Sequence, residues 1–207
     1  MKDNDKDNMN ICLKFYNIYL EMLNARDNNN KYIDISTFLD YFGSNHSTFS
    51  GYIQHDAQEF FRLLLDDLSK ELNVNKKNYI YNQINYTNEI DKILTEKEFF
   101  QFSKNRENSL IIELFYNEIL TKYTCCICSY SHYAYQNIFD FPLLLPDKEK
   151  ELNLEILIKN YFYPEIIKFE NKCNNCKKIA NHLKEMLISR PSPLLIFSIQ
   201  RLNYITQ

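Results

Sequence analysis

The sequence has no tryptophan, only two glycines and no strong excess of charge, with a net charge of −3 over 207 residues. Because a protein that binds a phosphate backbone usually carries a basic face, this balance argues against a nucleic-acid partner. No apolar run approaches the roughly eighteen residues that a membrane-spanning helix needs. With 45% apolar residues, the chain has enough material for a core. We therefore expect one soluble globular domain, or one with a small appendage.

A secretory leader is also absent from the sequence. Residues 1–10 are polar and charged, with no apolar segment and no small-residue cleavage site, and we expect them to be disordered. This predicts a location in the cytoplasm, the nucleus or both. Thiols stay reduced there, so the six cysteines are expected to be free thiols or metal ligands rather than disulfides.

The first third of the chain has the periodicity of helices. Apolar residues at helical spacing predict one helix over residues 11–23 and another over residues 54–72. Between them, Ser36 is expected to cap a short helix over residues 37–42, and Gly43 to end it in a left-handed conformation.

The remainder of the chain predicts a mixture of strands and helices. Residues 74–108 are rich in asparagine and read as an insertion with one helix near residues 88–100. Residues 133–145 have the aromatic and aliphatic content of strands, and residues 152–162 have helical spacing. The apolar run at residues 194–202 has strand length and would need cover on both faces. These elements predict an α+β fold.

Two C-x-x-C pairs are the strongest chemical signal in the sequence. Cys125 and Cys128 form one pair, and Cys173 and Cys176 form the other. Two such turns can direct four thiolates at one point, which is the ligand set of a closed, structural Zn²⁺ site. The alternatives are ordinary buried thiols, a redox dithiol, or a histidine in place of one cysteine. Cys126 is expected to be a spare thiol, although it could replace Cys125.

Several segments resemble the ubiquitin-specific protease family, which consists of papain-like cysteine peptidases. The segment GYIQHDAQEFF at residues 51–61 resembles that family's Gln/His-Asp-Ala-x-Glu-Phe segment. The cysteine pairs, IFDFPLLLP and LLIFSIQRL follow in the family's order, although His182 stands where a lysine is usual and Leu202 where an aromatic residue is usual. The resemblance covers residues 11–207 apart from the insertion.

The resemblance implies a deubiquitinase hand that is truncated at both ends. It would have a helical thumb over residues 11–73, the insertion over residues 74–108, and zinc-bearing fingers with the start of a palm sheet over residues 109–207. The parent enzyme would hydrolyse the (iso)peptide bond after the C-terminal glycine of ubiquitin. Ubiquitin or ubiquitinated proteins are therefore the expected partners, and the oligomeric state stays open.

In this family the segment matched by Gln54, His55 and Asp56 lines the channel that holds the tail of ubiquitin. A carboxylate suits that role because it can accept backbone N–H groups or pair with arginine. The alternative is that Gln54 and Asp56 merely cap the helix that follows.

The family's catalytic cysteine and histidine segments have no counterpart in this sequence. Cys12 faintly resembles the catalytic cysteine, but the residues after it do not match, so we interpret it as a structural thiol. The four histidines, His46, His55, His132 and His182, fall in segments matched to non-catalytic parts of the family. We therefore expect no activity from this chain alone, and the alternative function is a non-catalytic ubiquitin-binding scaffold. A zinc-ribbon nucleic-acid binder is a third alternative.

Overall fold

The computed structural model describes residues 10–27, 32–51, 53–75, 89–146 and 153–201, with the backbone alone for residues 89–95. The chain divides into two compact units, residues 1–74 with 109–111, and residues 75–108 with 112–207. Disorder is expected for residues 1–10, of which residues 1–9 lie outside the described residues, as does the substitution at Leu202. Asn10 is described, and its side chain accepts the Leu13 N–H.

The first unit contains the helices that the sequence predicts. Helix α1 runs over Ile11–Asp27, α2 over Ser36–Asn45 and α3 over Ala57–Glu71, with a short 3-10 turn at Ser47–Phe49. The predicted helices at residues 11–23 and 54–72 are confirmed, although α1 is longer and α3 shorter. The buried apolar side chains of α2 and α3 are Phe38, Phe42, Leu64, Leu65 and Leu68.

Both predicted ends of α2 are wrong. Ser36 lies inside the helix because Asp34 accepts the Ser36 N–H at 2.8 Å, and Ile35 occupies the cap position without a side-chain bond. Gly43 does not end the helix either. A Cβ atom at Gly43 would lie 3.2 Å from the carbonyl oxygen of Phe49, so glycine gives the 3-10 turn room to approach closely.

The second unit is built on a sheet of four antiparallel strands. The element bounds in chain order are α4 Glu89–Arg106, α5 Leu110–Phe115, β1 Asn117–Cys125, β2 Ser131–Ile138, β3 Asp140–Leu144, α6 Leu154–Tyr161, β4 Glu165–Lys172, β5 Ile179–Arg190 and β6 Ile196–Gln200. The sheet order is β2-β1-β5-β4, while β3 and β6 form a separate parallel pair. The predicted α+β fold is confirmed.

The core of the second unit packs α6 against both sheets. Ile119, Phe141, Leu143 and Leu157 are its buried centre. The predicted burial of the last strand on both faces is wrong within the described residues, because Ile199 of β6 is 49% exposed. No helix in the described ranges combines the length and the apolar character needed to span a membrane.

Candidate metal centre and the cap of helix α3

The two C-x-x-C pairs lie in turns with the same backbone geometry. At the β1–β2 turn, Cys125 donates its N–H to the Tyr130 carbonyl at 2.9 Å and accepts the Ser129 N–H at 2.9 Å. At the β4–β5 turn, Cys173 does the same with Lys178 and Lys177. Ser129 and Lys177 both have positive φ, at 57° and 61°, a conformation that closes such tight turns but is uncommon for non-glycine residues.

The pairing of β1 with β5 brings these two turns together. In addition, the Cys126 N–H donates to the Asn181 carbonyl of β5 at 2.9 Å. The Sγ atoms of Cys125, Cys128, Cys173 and Cys176 all lie within 4.8 Å of one another. The Sγ atoms of Cys128 and Cys173 are 3.7 Å apart. Zn–S bonds of about 2.3 Å in a tetrahedron place sulfurs about 3.8 Å apart, so the four thiols fit one zinc ion.

The surroundings of the cluster are consistent with a closed, structural zinc site. Cys125 and Cys173 are buried, whereas Cys126 is exposed and lies outside the four-sulfur group. Four thiolates fill a tetrahedral ion and leave no position for a catalytic water. The predicted structural zinc is confirmed by this donor set and its spacing.

Two thiols of the cluster, Cys128 and Cys176, have pKa values shifted in opposite directions. The backbone N–H of Tyr130 is the main cause that lowers the pKa of Cys128 to about 6. At Cys176 the Lys178 N–H also lowers the pKa, but desolvation and the other thiols outweigh it and raise the value to about 11. The Cys128 thiol is therefore more acidic than the Cys176 thiol, and a cysteine must be deprotonated to bind zinc.

Aromatic rings cover the sheet beside the cluster. His182 lies opposite Cys125 in the strand register and is 2% exposed, with Nδ1 3.0 Å from the Ala180 carbonyl. Its ring packs against Phe169 and His132, at 4.6 and 6.0 Å between centroids. Burial, with the nearby His182, lowers the pKa of His132. Neither histidine belongs to the four-sulfur group, so these rings pack beside it rather than replace a ligand.

The segment before α3 is exposed and ends in a strong helix cap. Asp56 precedes the helix, and its Oδ1 accepts the N–H groups of Gln58 at 2.7 Å and Glu59 at 3.1 Å. The His55 ring packs on Phe49 at 4.9 Å. Gln54, His55 and Asp56 are all exposed, and within the described residues Oδ2 of Asp56 accepts no hydrogen bond. Capping thus occupies one oxygen of Asp56 and leaves the other open to solvent.

The family model described as ubiquitin carboxyl-terminal hydrolase matches residues 1–207. The chain belongs to this family. The family resemblance seen in the sequence is therefore confirmed.

Similar proteins agree with this assignment. Ubiquitin carboxyl-terminal hydrolase 19 of Homo sapiens is 34% identical over 109 residues, which cover 53% of this chain and 8% of that protein. Ubiquitin carboxyl-terminal hydrolase Usp2 of Drosophila melanogaster is 26% identical over 168 residues, which cover 78% of this chain and 17% of that protein. The chain therefore spans only a small part of these relatives.

A solved structure shares the fold. It is a chain in the SAGA DUB module Ubp8/Sgf11/Sus1/Sgf73 bound to monoubiquitin. The TM-score is 0.57 with 16% sequence identity, and the match covers 83% of this chain and 33% of that chain. With 16% sequence identity, this structural similarity shows that the two chains share a fold, and no more.

Cys12 does not have the environment of a hydrolase nucleophile. It lies in the first turn of α1, where its backbone N–H donates to Glu71 at 3.0 Å. Burial, together with the hydrogen bond and charge of Glu71, raises the pKa of the Cys12 thiol to about 12. A cysteine nucleophile needs the opposite shift and an adjacent base. In the described part of the chain no histidine hydrogen-bonds to Cys12, and Nε2 of His46 lies 2.6 Å from Asp67 instead.

The contact of Glu71 with the start of α1 was not apparent from the sequence. It accepts the N–H groups of both Ile11 and Cys12, although 59 residues separate it from Cys12. No local pattern marks this contact, because it exists only once α3 packs against α1.

Proposed function

We propose that this chain is the ubiquitin-binding part of a deubiquitinase, whose parent domain hydrolyses the (iso)peptide bond after the C-terminal glycine of ubiquitin. The observation that carries the proposal is the exposed segment Gln54, His55 and Asp56, held at the start of α3 in a chain of the ubiquitin carboxyl-terminal hydrolase family. A structural relative that binds monoubiquitin supports the choice of partner.

Asp56 has the geometry to fix a peptide beside the helix. Its Oδ1 is held by two backbone N–H groups, so the carboxylate has a defined orientation. Its Oδ2 is then available to accept an N–H group of an extended peptide or to pair with an arginine. Phe49 restricts the ring of His55 next to it, and Phe49 itself packs on Phe42 and Phe60. The segment is therefore supported by the core of its unit.

Zinc would contribute to this function by holding the sheet of the second unit. Cys125, Cys128, Cys173 and Cys176 would hold the ion and cross-link the β1–β2 turn to the β4–β5 turn. The ion would act as a structural cross-link, and the cutting residues of the parent domain would lie outside the described segments.

Asp56 can be tested with two substitutions that separate its two roles. Asn is as good a helix cap as Asp, so Asp56→Asn removes the charge and keeps the cap, whereas Asp56→Ala removes both. We expect Asp56→Asn to melt like the wild type and to bind ubiquitin about tenfold more weakly, as loss of a charge-assisted hydrogen bond implies. Asp56→Ala should also lose about 1 kcal/mol of stability.

The measurement is a titration of the zinc-loaded chain with ¹⁵N-labelled ubiquitin, followed by NMR. The matched control is Asp40→Asn, which removes an exposed carboxylate from α2. Equal ubiquitin binding by Asp56→Asn and the wild type would refute the role of Asp56, and no shift at the C-terminal residues of ubiquitin would refute tail binding.

Activity is tested with a fluorogenic substrate attached to the C-terminus of ubiquitin. We expect no cleavage by the wild type or by Cys12→Ala, because the Cys12 thiol is protonated at neutral pH. Cleavage that disappears in Cys12→Ala would show that Cys12 is the nucleophile.

A further inference from the structure

Helix α1 has apolar residues on two sides, and only one side is packed. Ile11 is buried and Ile18, two turns later, is half-buried, in a helix that contacts α2 and α3. On another side, Leu13, Tyr16 and Leu20 are 48%, 53% and 37% exposed. A helix with apolar residues on more than one side is typical of an element that packs against partners on each of them.

The exposed side has the spacing of a coiled-coil interface. Leu13, Tyr16, Leu20 and Leu23 are separated by three, four and three residues, which is the a/d alternation of two heptads. We call these four residues the α1 seam. Tyr19 widens the seam, because its side chain is exposed and its ring lies 6.3 Å from that of Tyr16.

Charged residues of α1 lie away from the seam. Between Ile11 and Ala25 the charged residues are Lys14 and Glu21, and both occupy position b of the heptad. Positions e and g, which flank a coiled-coil interface, carry no charge in this range. Two copies of the seam could therefore meet without burying a charge.

The seam is self-complementary when two copies run antiparallel. A second α1 turned end for end about Ile18 places Leu13 opposite Leu23 of the second copy, and Tyr16 opposite Leu20. Every residue of the seam then meets another apolar side chain. Such an arrangement has twofold symmetry, in which both copies use the same surface.

Charges at the two ends of α1 also favour the antiparallel order. Arg26 lies in the last turn of α1. Glu71 holds its carboxylate at the start of α1, where it accepts the N–H groups of Ile11 at 2.9 Å and Cys12 at 3.0 Å. An antiparallel pair brings Arg26 of each copy towards Glu71 of the other, whereas a parallel pair would bring like charges together. The opposed helix dipoles act in the same direction.

We propose that two copies of this chain associate through their α1 seams, packed antiparallel about a twofold axis. The interface would be smaller than the roughly 1,600 Å² that is typical of stable complexes. The dimer is therefore weak, with a Kd on the order of 10 µM, and forms at high local concentration.

Analytical ultracentrifugation of the full zinc-loaded chain from about 1 µM to about 200 µM tests this association. We expect the average mass to rise from 25.0 kDa towards twice that value. Leu20→Lys should weaken association at least tenfold, because lysine keeps the helix propensity but places a charge in the seam. The matched control is Met22→Lys, since Met22 is 57% exposed on the same helix but lies outside the seam.

A chain that stays monomeric over this range would overturn the proposal and leave the seam to a different polypeptide. Equal loss of association in Leu20→Lys and Met22→Lys would also overturn it, because it would show unspecific apolar contact.

Cysteine cross-linking tests the orientation of the two helices. Chains with Leu13→Cys and chains with Leu23→Cys are mixed and treated with a short bis-maleimide. We expect a link between positions 13 and 23 and none between two copies of position 13. Peptide mass spectrometry separates these links from those of native thiols such as the exposed Cys126. Absence of the 13–23 link, or a 13–13 link in its place, would overturn the antiparallel pairing.

Discussion

Glu118 is an acid at a position where a neutral side chain would suit the folded state better. Burial is the main cause that raises its pKa, Glu96 adds to the effect, and Arg190 and Ser189 oppose it. The folded state therefore holds the proton of Glu118 more tightly than the unfolded state does. The resulting contribution to stability is complete below the ordinary pKa of 4.5 and is lost as the pH rises through the higher folded pKa.

Replacement of Glu118 by glutamine should remove this pH dependence. At pH 7 we expect Glu118→Gln to raise Tm, with roughly 2–4 °C for each kcal/mol gained in a chain of this size. Near pH 4 the difference in Tm should become small, because Glu118 is then mostly protonated in both states. Thermal unfolding at the two pH values measures this, with Glu185→Gln as the exposed control. A lower Tm of Glu118→Gln at pH 7 would mean that the bonds to Ser189 and Arg190 outweigh desolvation.

At the scale of elements, α3 is linked to α1 through its last residue. Glu71 accepts the Ile11 N–H at 2.9 Å and the Cys12 N–H at 3.0 Å, so one carboxylate satisfies two free donors at the start of α1. Asn10 adds a local cap by accepting the Leu13 N–H at 3.0 Å. The start of α1 is therefore set both by its own sequence and by the packing of another helix.

Glu71→Ala should weaken this junction and change the chemistry of Cys12 at the same time. We expect a loss of about 1–2 kcal/mol in the free energy of unfolding, because two helix donors lose a charged partner. The pKa of Cys12 should fall from about 12 but stay above its usual value, since burial remains the largest cause. The rate of thiol alkylation as a function of pH measures this, and Glu21→Gln on α1 is the control. An unchanged alkylation profile would show that Glu71 does not act on Cys12.

The elements also show which features a sequence can predict. The apolar stripe of α3 and the Asp56 cap are local, so the helix and its start were predictable within a few residues. The ends of α2 were not. Asp34 accepts the N–H of Ser36, and the Ile35 carbonyl accepts the N–H groups of Phe38 and Leu39 that a Ser36 cap would have served. Gly43 lies close to the backbone of Phe49. The roles of Glu71 and Glu118 depend on contacts across the fold, so no local pattern in the sequence predicts them.

The doubled C-x-x-C spacing predicted the four-cysteine cluster, because each turn is local and only one strand pairing has to bring the two turns together.

At the scale of the whole molecule, the zinc site links parts of the chain that are far apart in sequence. The β1–β2 and β4–β5 turns meet through the β1–β5 pairing, and both of their cysteine pairs enter one cluster. Beyond the cysteines, only Ala180 is buried in this cluster among the described residues. So small a core stabilises this end of the sheet only weakly. Its folding is therefore expected to depend on zinc, whose binding free energy in zinc-finger peptides is on the order of 10 kcal/mol.

Removal of one ligand should therefore unfold this end of the sheet, whereas removal of the adjacent spare thiol should not. We expect Cys173→Ser to lose bound zinc and to melt well below the wild type, because three thiolates and a hydroxyl hold zinc far less tightly. Cys126→Ser should keep its zinc and its Tm, since Cys126 is exposed and lies outside the four-sulfur group. Zinc content by atomic emission and thermal melting with and without chelator measure both variants. Loss of zinc from Cys126→Ser with retention in a Cys125→Ser variant would reverse the assignment of the ligands in the first turn.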